Sequence, residues 1–137
     1  MGLVIDTNVF ILAEKSDARI DFTRWAQHGD AFISSVTISE LWVGVHKADS
    51  AKRRGRRAAF VEAIERTIPT LDFTAAVARV HARMLADLPS GTTVGAHDAL
   101  IGATARCFDH AVLTDNVRDF SRLPGVISGG AALIAAP

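Results

Sequence analysis

Residues 3–8 read Leu3-Val4-Ile5-Asp6-Thr7-Asn8. Three apolar residues in a row, too few for a helix of their own, have the pattern of a strand buried on both faces. They run without a turn into an acid and two small polar groups. A segment that served only a core has no need of a carboxylate there. The reading of the chain therefore turns on where this strand ends and which other groups arrive at the same place.

Working outward, the same kind of short apolar run recurs. Ala31–Ser34, Thr70–Asp72, Ala111–Thr114 and Val126–Ile127 read as further strands. Helical stretches lie between them. Val9–Ala13 follows Thr7 or Asn8 as a cap, and Ile20–His28 stops at Gly29-Asp30. Val36–Lys47 places Ile38, Leu41, Trp42 and Val45 on one face. A basic stretch runs as a helix through Glu65 and is interrupted by Pro69. Thr74–Leu88 and the alanine-rich Ala96–Phe108 complete the set. Strands alternating with helices predict an α/β fold: a three-layer α/β/α domain around a central, mostly parallel sheet of four to five short strands. No repeat or linker divides residues 1–137, which read as a single domain.

In such a sheet the ligand site lies beyond the carboxyl ends of the strands. Asp6 stands at that end of the first strand. Glu40 falls in the first turn of the helix after the second, and Asp98 in the first turn of the helix that feeds the fourth. Thr114, Asp115 and Asn116 follow at the fourth strand's end, with Asp119 three residues on. Each acid has a plainer explanation alone. Thr37-Ile38-Ser39-Glu40 matches a capping box, Asp98 complements a helix dipole, Asp6 caps a helix, and Asp119 is a surface loop acid. Caps alone do not require all the acids to share one sheet edge, however. Crowded carboxylates raise each other's pKa unless a cation intervenes, and an all-oxygen donor set suits Mg²⁺ or Mn²⁺. Thr37, Asn8 and Thr114 are oxygen donors placed to support it. Such a site fits phosphodiester hydrolysis.

Bulk properties narrow the rest. Hydrophobic residues make up 49% and charged residues 22%, as in a folded globular chain. Cys107 is the single cysteine, so no internal disulfide forms, and a reducing cytoplasm is the expected compartment. No signal peptide or membrane span is expected. Serine-nucleophile and phosphate-cradling glycine motifs are absent. The five histidines show no metal-ligand spacing, and His97 beside Asp98 reads as a partly exposed surface residue. Trp25 and Trp42 read as core or interface residues. Formal net charge is zero, from 15 basic and 15 acidic side chains, yet Lys52-Arg53-Arg54-Gly55-Arg56-Arg57 is densely basic. A solvated helix face is the plainer explanation of such a run.

Four stretches together resemble the PIN-domain family, and more closely the VapC-type toxins of prokaryotic toxin–antitoxin pairs. They are V-I-D-T-N-V-F at 4–10, S-S-V-T-I-S-E-L-W-V-G at 34–44, H-D-A-L-I-G-A-T-A at 97–105 and V-L-T-D-N-V-R-D-F at 112–120. The resemblance implies a Mg²⁺- or Mn²⁺-dependent ribonuclease, often a homodimer, neutralised by a VapB-type antitoxin. It makes Asp6, Glu40 and Asp98 the catalytic acids and metal ligands, with Thr114 supporting them. The chain departs from the family pattern at Asn116, where an aspartate is usual; Asp119, ahead of Phe120, or Asp115 is then the substitute. With an RNA substrate, Arg53, Arg54, Arg56 and Arg57 become candidate RNA contacts.

Three rivals differ in chemistry. A receiver domain needs paired acids at the first strand and a late lysine, and Asp6 stands alone. A haloacid-dehalogenase-type phosphatase needs a second aspartate two residues after the first, where Asn8 stands. A non-catalytic PIN-fold RNA- or protein-binding module would have no need to keep Asp6, Glu40 and Asp98.

Overall fold

The structure, a computed structural model, describes residues 1–15 and 29–130. The helix expected at Ile20–His28, with Trp25, and the small-residue tail after residue 130 lie outside the described residues. Five strands form one sheet: β1 (Leu3–Ile5), β2 (Ala31–Ser34), β3 (Thr70–Leu71), β4 (Ala111–Thr114) and β5 (Ser128–Gly130). Their spatial order is β3-β2-β1-β4-β5, and every pairing is parallel. The described helices are α1 (Thr7–Lys15), α2 (Ser35–His46), α3 (Ala51–Thr67), α4 (Ala75–Asp87), α5 (Ala96–Cys107) and the single turn α6 (Val117–Phe120).

β1 is the middle strand, and all of its residues are buried. Side chains alternate across a strand, so Leu3 and Ile5 face one layer and Val4 the other. Leu3 and Ile5 pack with Phe10 of α1, Leu41 and Val45 of α2, and Val61 and Ile64 of α3. Val4 packs with Val77 and Met84 of α4, Ile101 and Ala103 of α5, and Phe120. These two apolar layers make the α/β/α architecture. They explain why the strands read as unbroken apolar runs: a strand covered on both sides has no face for polar residues.

Of the boundaries that differ from the sequence reading, two have a clear local cause. The last strand is Ser128–Gly130 rather than Val126–Ile127. The Val126 amide is engaged in a turn with the Leu123 carbonyl, and pairing begins only when the Ile127 carbonyl accepts from Val112. The helix after β2 starts at Ser35, not Val36, because the Ser34 side chain accepts from the Val36 amide and serves as the N-cap. Thr37 is therefore already inside the helix, no capping box forms, and Glu40 lies in the second turn rather than the first.

Candidate active site

Register brings the polar groups together. Ile5 pairs with Leu113, so the residues that follow them, Asp6 and Thr114, emerge side by side at the carboxyl edge. The Asp6 amide donates to the Leu113 carbonyl, and the residue is only 2% exposed. The Thr114 hydroxyl, fully buried, donates to Asp6 Oδ2 at 2.8 Å. The Asn116 amide in turn donates to Thr114 Oγ1 at 2.8 Å. Thr114 thus holds Asp6 in one orientation.

Glu40 is held from both ends. Its Oε1 lies 2.8 Å from Thr7 Oγ1, and its Oε2 lies 3.2 Å from His97 Nδ1. Thr7 Oγ1 is also 3.0 Å from the buried Thr37 Oγ1. Thr7 has one hydroxyl proton. The carboxylate is the stronger acceptor, so Thr7 donates to Glu40 and its lone pairs remain for Thr37. Side chains from α1, α2 and α5 therefore converge on one carboxylate.

Asp98 sits in the first turn of α5, where the helix dipole favours an anion. Glycine at the N-cap, Gly95, leaves room for it: a Cβ there would lie 3.1 Å from Asp98 Oδ2. Asp119 accepts from Asn116 Nδ2 at 2.6 Å and lies 3.8 Å from the Arg122 guanidinium.

These acids interact electrostatically. Burial pushes the Asp6 carboxyl up to about 6, and nearby Asp98 and Glu40 push the same way; the Thr114 hydroxyl and the Thr7 backbone amide oppose them. Asp98 is raised above the ordinary carboxylate range by burial, then by Asp119 and Glu40, with His97 opposing. In both carboxyls burial is the larger cause, and crowding among the other acids adds to it.

The predicted residues do not all contribute. Asp6, Glu40, Asp98, Asp119, Thr114 and Asn116 come together. Asn8 and Asp115 are exposed and take no part in this hydrogen-bond network. Thr7 and His97, read from the sequence as a helix cap and a surface histidine, anchor Glu40 instead. Their positions directly after Asp6 and directly before Asp98 were the available signal. Along α3, Arg53 pairs with Asp49, Arg54 donates to the Ala48 carbonyl, and Arg57 pairs with Glu14 and donates to the Gly44 carbonyl.

The donor set is wholly of hard oxygens, with no sulfur and no histidine cluster, which fits Mg²⁺ or Mn²⁺ better than zinc. Among the described residues, no three His, Cys, Asp or Glu side chains already stand at ligand spacing. Mutual repulsion of the kind that raises Asp6 and Asp98 opposes closer approach without a cation.

A family model described as PIN domain matches residues 3–126. The chain belongs to the PIN-domain family. Among relatives of this PIN domain, a protein named Ribonuclease VapC1 from Rickettsia felis is 35% identical over 127 residues, spanning 92% of this chain and 93% of that protein. The tRNA(fMet)-specific endonuclease VapC of Shigella flexneri is 32% identical, spanning 92% and 95%. A crystal structure of DNA-bound VapBC from Salmonella typhimurium superposes with a TM-score of 0.84 at 29% identity, covering 95% of this PIN domain and 98% of that chain. The resemblance carried by four short motifs thus extends over nearly the whole chain, and the parallel sheet with flanking helices is the family's fold.

Proposed function

We propose that this PIN domain is a divalent-metal-dependent endoribonuclease of the VapC type, the toxin of a toxin–antitoxin pair. The observation that carries the reading is the convergence of Asp6, Glu40, Asp98 and Asp119 on one sheet edge, with Asp6 held near neutrality by burial and its neighbours. Sequence relatives named as ribonucleases support it.

Asp6, Asp98 and Glu40 are the residues that would hold Mg²⁺ or Mn²⁺. Such an ion, when bound, lowers the pKa of water and neutralises charge on phosphoryl oxygens. The chain's own residues supply the rest. Thr114 fixes the Asp6 carboxylate, and Thr7 and His97 fix that of Glu40, so neither acid must reorganise when a phosphodiester arrives. Asp119, held by Asn116, would serve as the fourth acid and accept a proton from the attacking water. Asn116 keeps an oxygen in place of the acid usual in the family and uses its amide to orient Asp119.

The partners follow the relatives: RNA as substrate, with transfer RNA the first class to test, and a VapB-type antitoxin as neutraliser. A second copy in a homodimer and a cytoplasmic location belong to the same reading. No described helix is long and apolar enough to cross a membrane.

The test is cleavage of total cellular RNA by the purified, antitoxin-free chain in Mg²⁺, Mn²⁺ or EDTA, beside Asp98→Asn. Discrete fragments that require metal and disappear in the variant are expected. Intact RNA from a folded protein that still binds Mn²⁺ would instead favour a binding module.

A further inference from the structure

Two hollows meet on the flank between α1, α2 and α3. One, of about 140 Å³, runs between Ile11, Leu41, Gly44 and Val61, with Glu40 at one end and Glu14 and Arg57 at the other. The second, of about 320 Å³, is walled by Glu14, Lys15, Arg53, Arg56 and Arg57. Glu14, Lys15 and Arg57 belong to both walls, so the two form one groove. It leads from a candidate catalytic acid to a basin of four cations and one carboxylate.

Helix geometry divides the basic run. Arg53, Arg56 and Arg57 stand three and four residues apart and share a face of α3, the face that walls the basin. Arg54 lies a quarter-turn away and donates to the Ala48 carbonyl at 3.4 Å. Arg57 is committed, with Nε 3.2 Å from Glu14 Oε1 and a terminal nitrogen 3.0 Å from the Gly44 carbonyl oxygen, so it shapes the junction. Arg53 holds Asp49 at 3.1 Å in an exposed pair that contributes little and is easily exchanged. Arg56 has no ion-pair partner among the described residues.

We propose that this groove carries single-stranded RNA flanking the scissile bond, with Arg53 and Arg56 on its phosphates and an unstacked base over Ile11 and Gly44. The proposal rests on the ribonuclease reading and adds the path of the substrate. A hollow of about 140 Å³ cannot admit a duplex, and specific RNA recognition favours unstacked single strands. Charge selects RNA over an acidic peptide. Of the polyanions that suit the basin, an acidic peptide gains nothing at the carboxylate where the groove ends, whereas a phosphodiester substrate has to reach it.

The test measures binding of a short fluorescent single-stranded RNA to an Asp98→Asn background across a salt series. Arg56→Ala is expected to weaken binding several-fold and lower the slope of log affinity against log salt by about 0.7, one phosphate contact on a single strand. Arg53→Ala adds a second such decrement. Gly44→Leu, at a position where an added Cβ meets nothing within 4 Å, is expected to weaken binding with the salt slope unchanged. Arg66→Ala, on the same helix and away from the groove, is the charge control. A loss at Arg54→Ala or Arg66→Ala equal to that at Arg56→Ala overturns the proposal, because net charge and not the groove is then responsible. Tighter, Arg56-dependent binding of an oligo-glutamate than of RNA overturns it in favour of an acidic peptide. Wild-type cleavage of RNA with Arg56→Ala and Gly44→Leu unimpaired overturns the path and leaves the nuclease standing. Arg56-dependent RNA binding without cleavage in any metal supports the path and overturns the nuclease.

Discussion

Asp6 is the residue on which site and stability pull in opposite directions. Its carboxyl titrates near 6 in the folded chain against 3.8 when free, so between those values the native state binds more protons than the unfolded one. The contribution of Asp6 to stability is therefore largest below about pH 4 and is lost as pH rises through about 6. Asp6→Asn removes the ionisation, and the amide oxygen can still accept from Thr114. In EDTA the variant is expected to be more stable than the parent by roughly 1–3 kcal/mol at pH 7.5 and equal to it at pH 4, while cleavage is abolished. Urea unfolding at the two pH values checks this; a variant less stable at pH 7.5 would mean that Asp6 is not strained by its neighbours. Thr7 gives the complementary case. Thr7→Val takes the hydroxyl from between Thr37 and Glu40, at a cost of about 1–3 kcal/mol for the buried polar groups it leaves unpaired. Cleavage should fall as well, and Thr7→Ser should restore both. The crowding of Asp6 was legible in the sequence; the bond from Thr7 to Glu40 was not. Thr7 and Glu40 are thirty-three positions apart, and only folding shows that the polar residue after the acid serves a different acid.

At the scale of elements, the sequence served well wherever apolar burial decides. Leu3–Ile5 is buried in every residue and Ala111–Thr114 in all but Ala111; the second strand has the ends its apolar run predicts, and the first stops at Ile5, one residue short of the expected Asp6. The element that escaped is the one without that signal. Ser128-Gly129-Gly130 has almost no side chains and is a strand only because β4 offers it a parallel edge. The turn Val117–Phe120 is too short for periodicity to register. The start of α2 shows how a local motif misleads. Thr37 and Glu40 have capping-box spacing, yet Ser34 at the end of β2 caps first, and the two residues become parts of the site. Ser34→Ala is accordingly expected to destabilise by about 1 kcal/mol, whereas Ser39→Ala, on the exposed face, should stay within about 0.5 kcal/mol. Thermal unfolding of the two variants decides it, since a helix capped at Thr37 would leave Ser34 without effect.

The whole molecule places its acids by topology. Asp6, Glu40, Asp98 and Asp119 span most of the chain, and a parallel sheet with β1 in the middle is what gathers them at one edge. That much could be read from strands alternating with helices. Whether the acids act together could not, because it depends on side-chain directions. Joint action makes a prediction for the folded chain as a unit. A cation held only by the native state stabilises it by mass action, by about 2.7 kcal/mol at a hundred times its dissociation constant. Adding Mg²⁺ or Mn²⁺ should therefore raise the melting temperature of the wild-type chain progressively with concentration. The effect should disappear in Asp98→Asn. It should also fade as pH falls through about 6, where protons compete for Asp6. Calorimetry in two buffers of different ionisation enthalpy would register the displaced proton directly. A melting temperature indifferent to the ions, or one raised equally in Asp98→Asn, would mean that these carboxylates share an edge without sharing a cation.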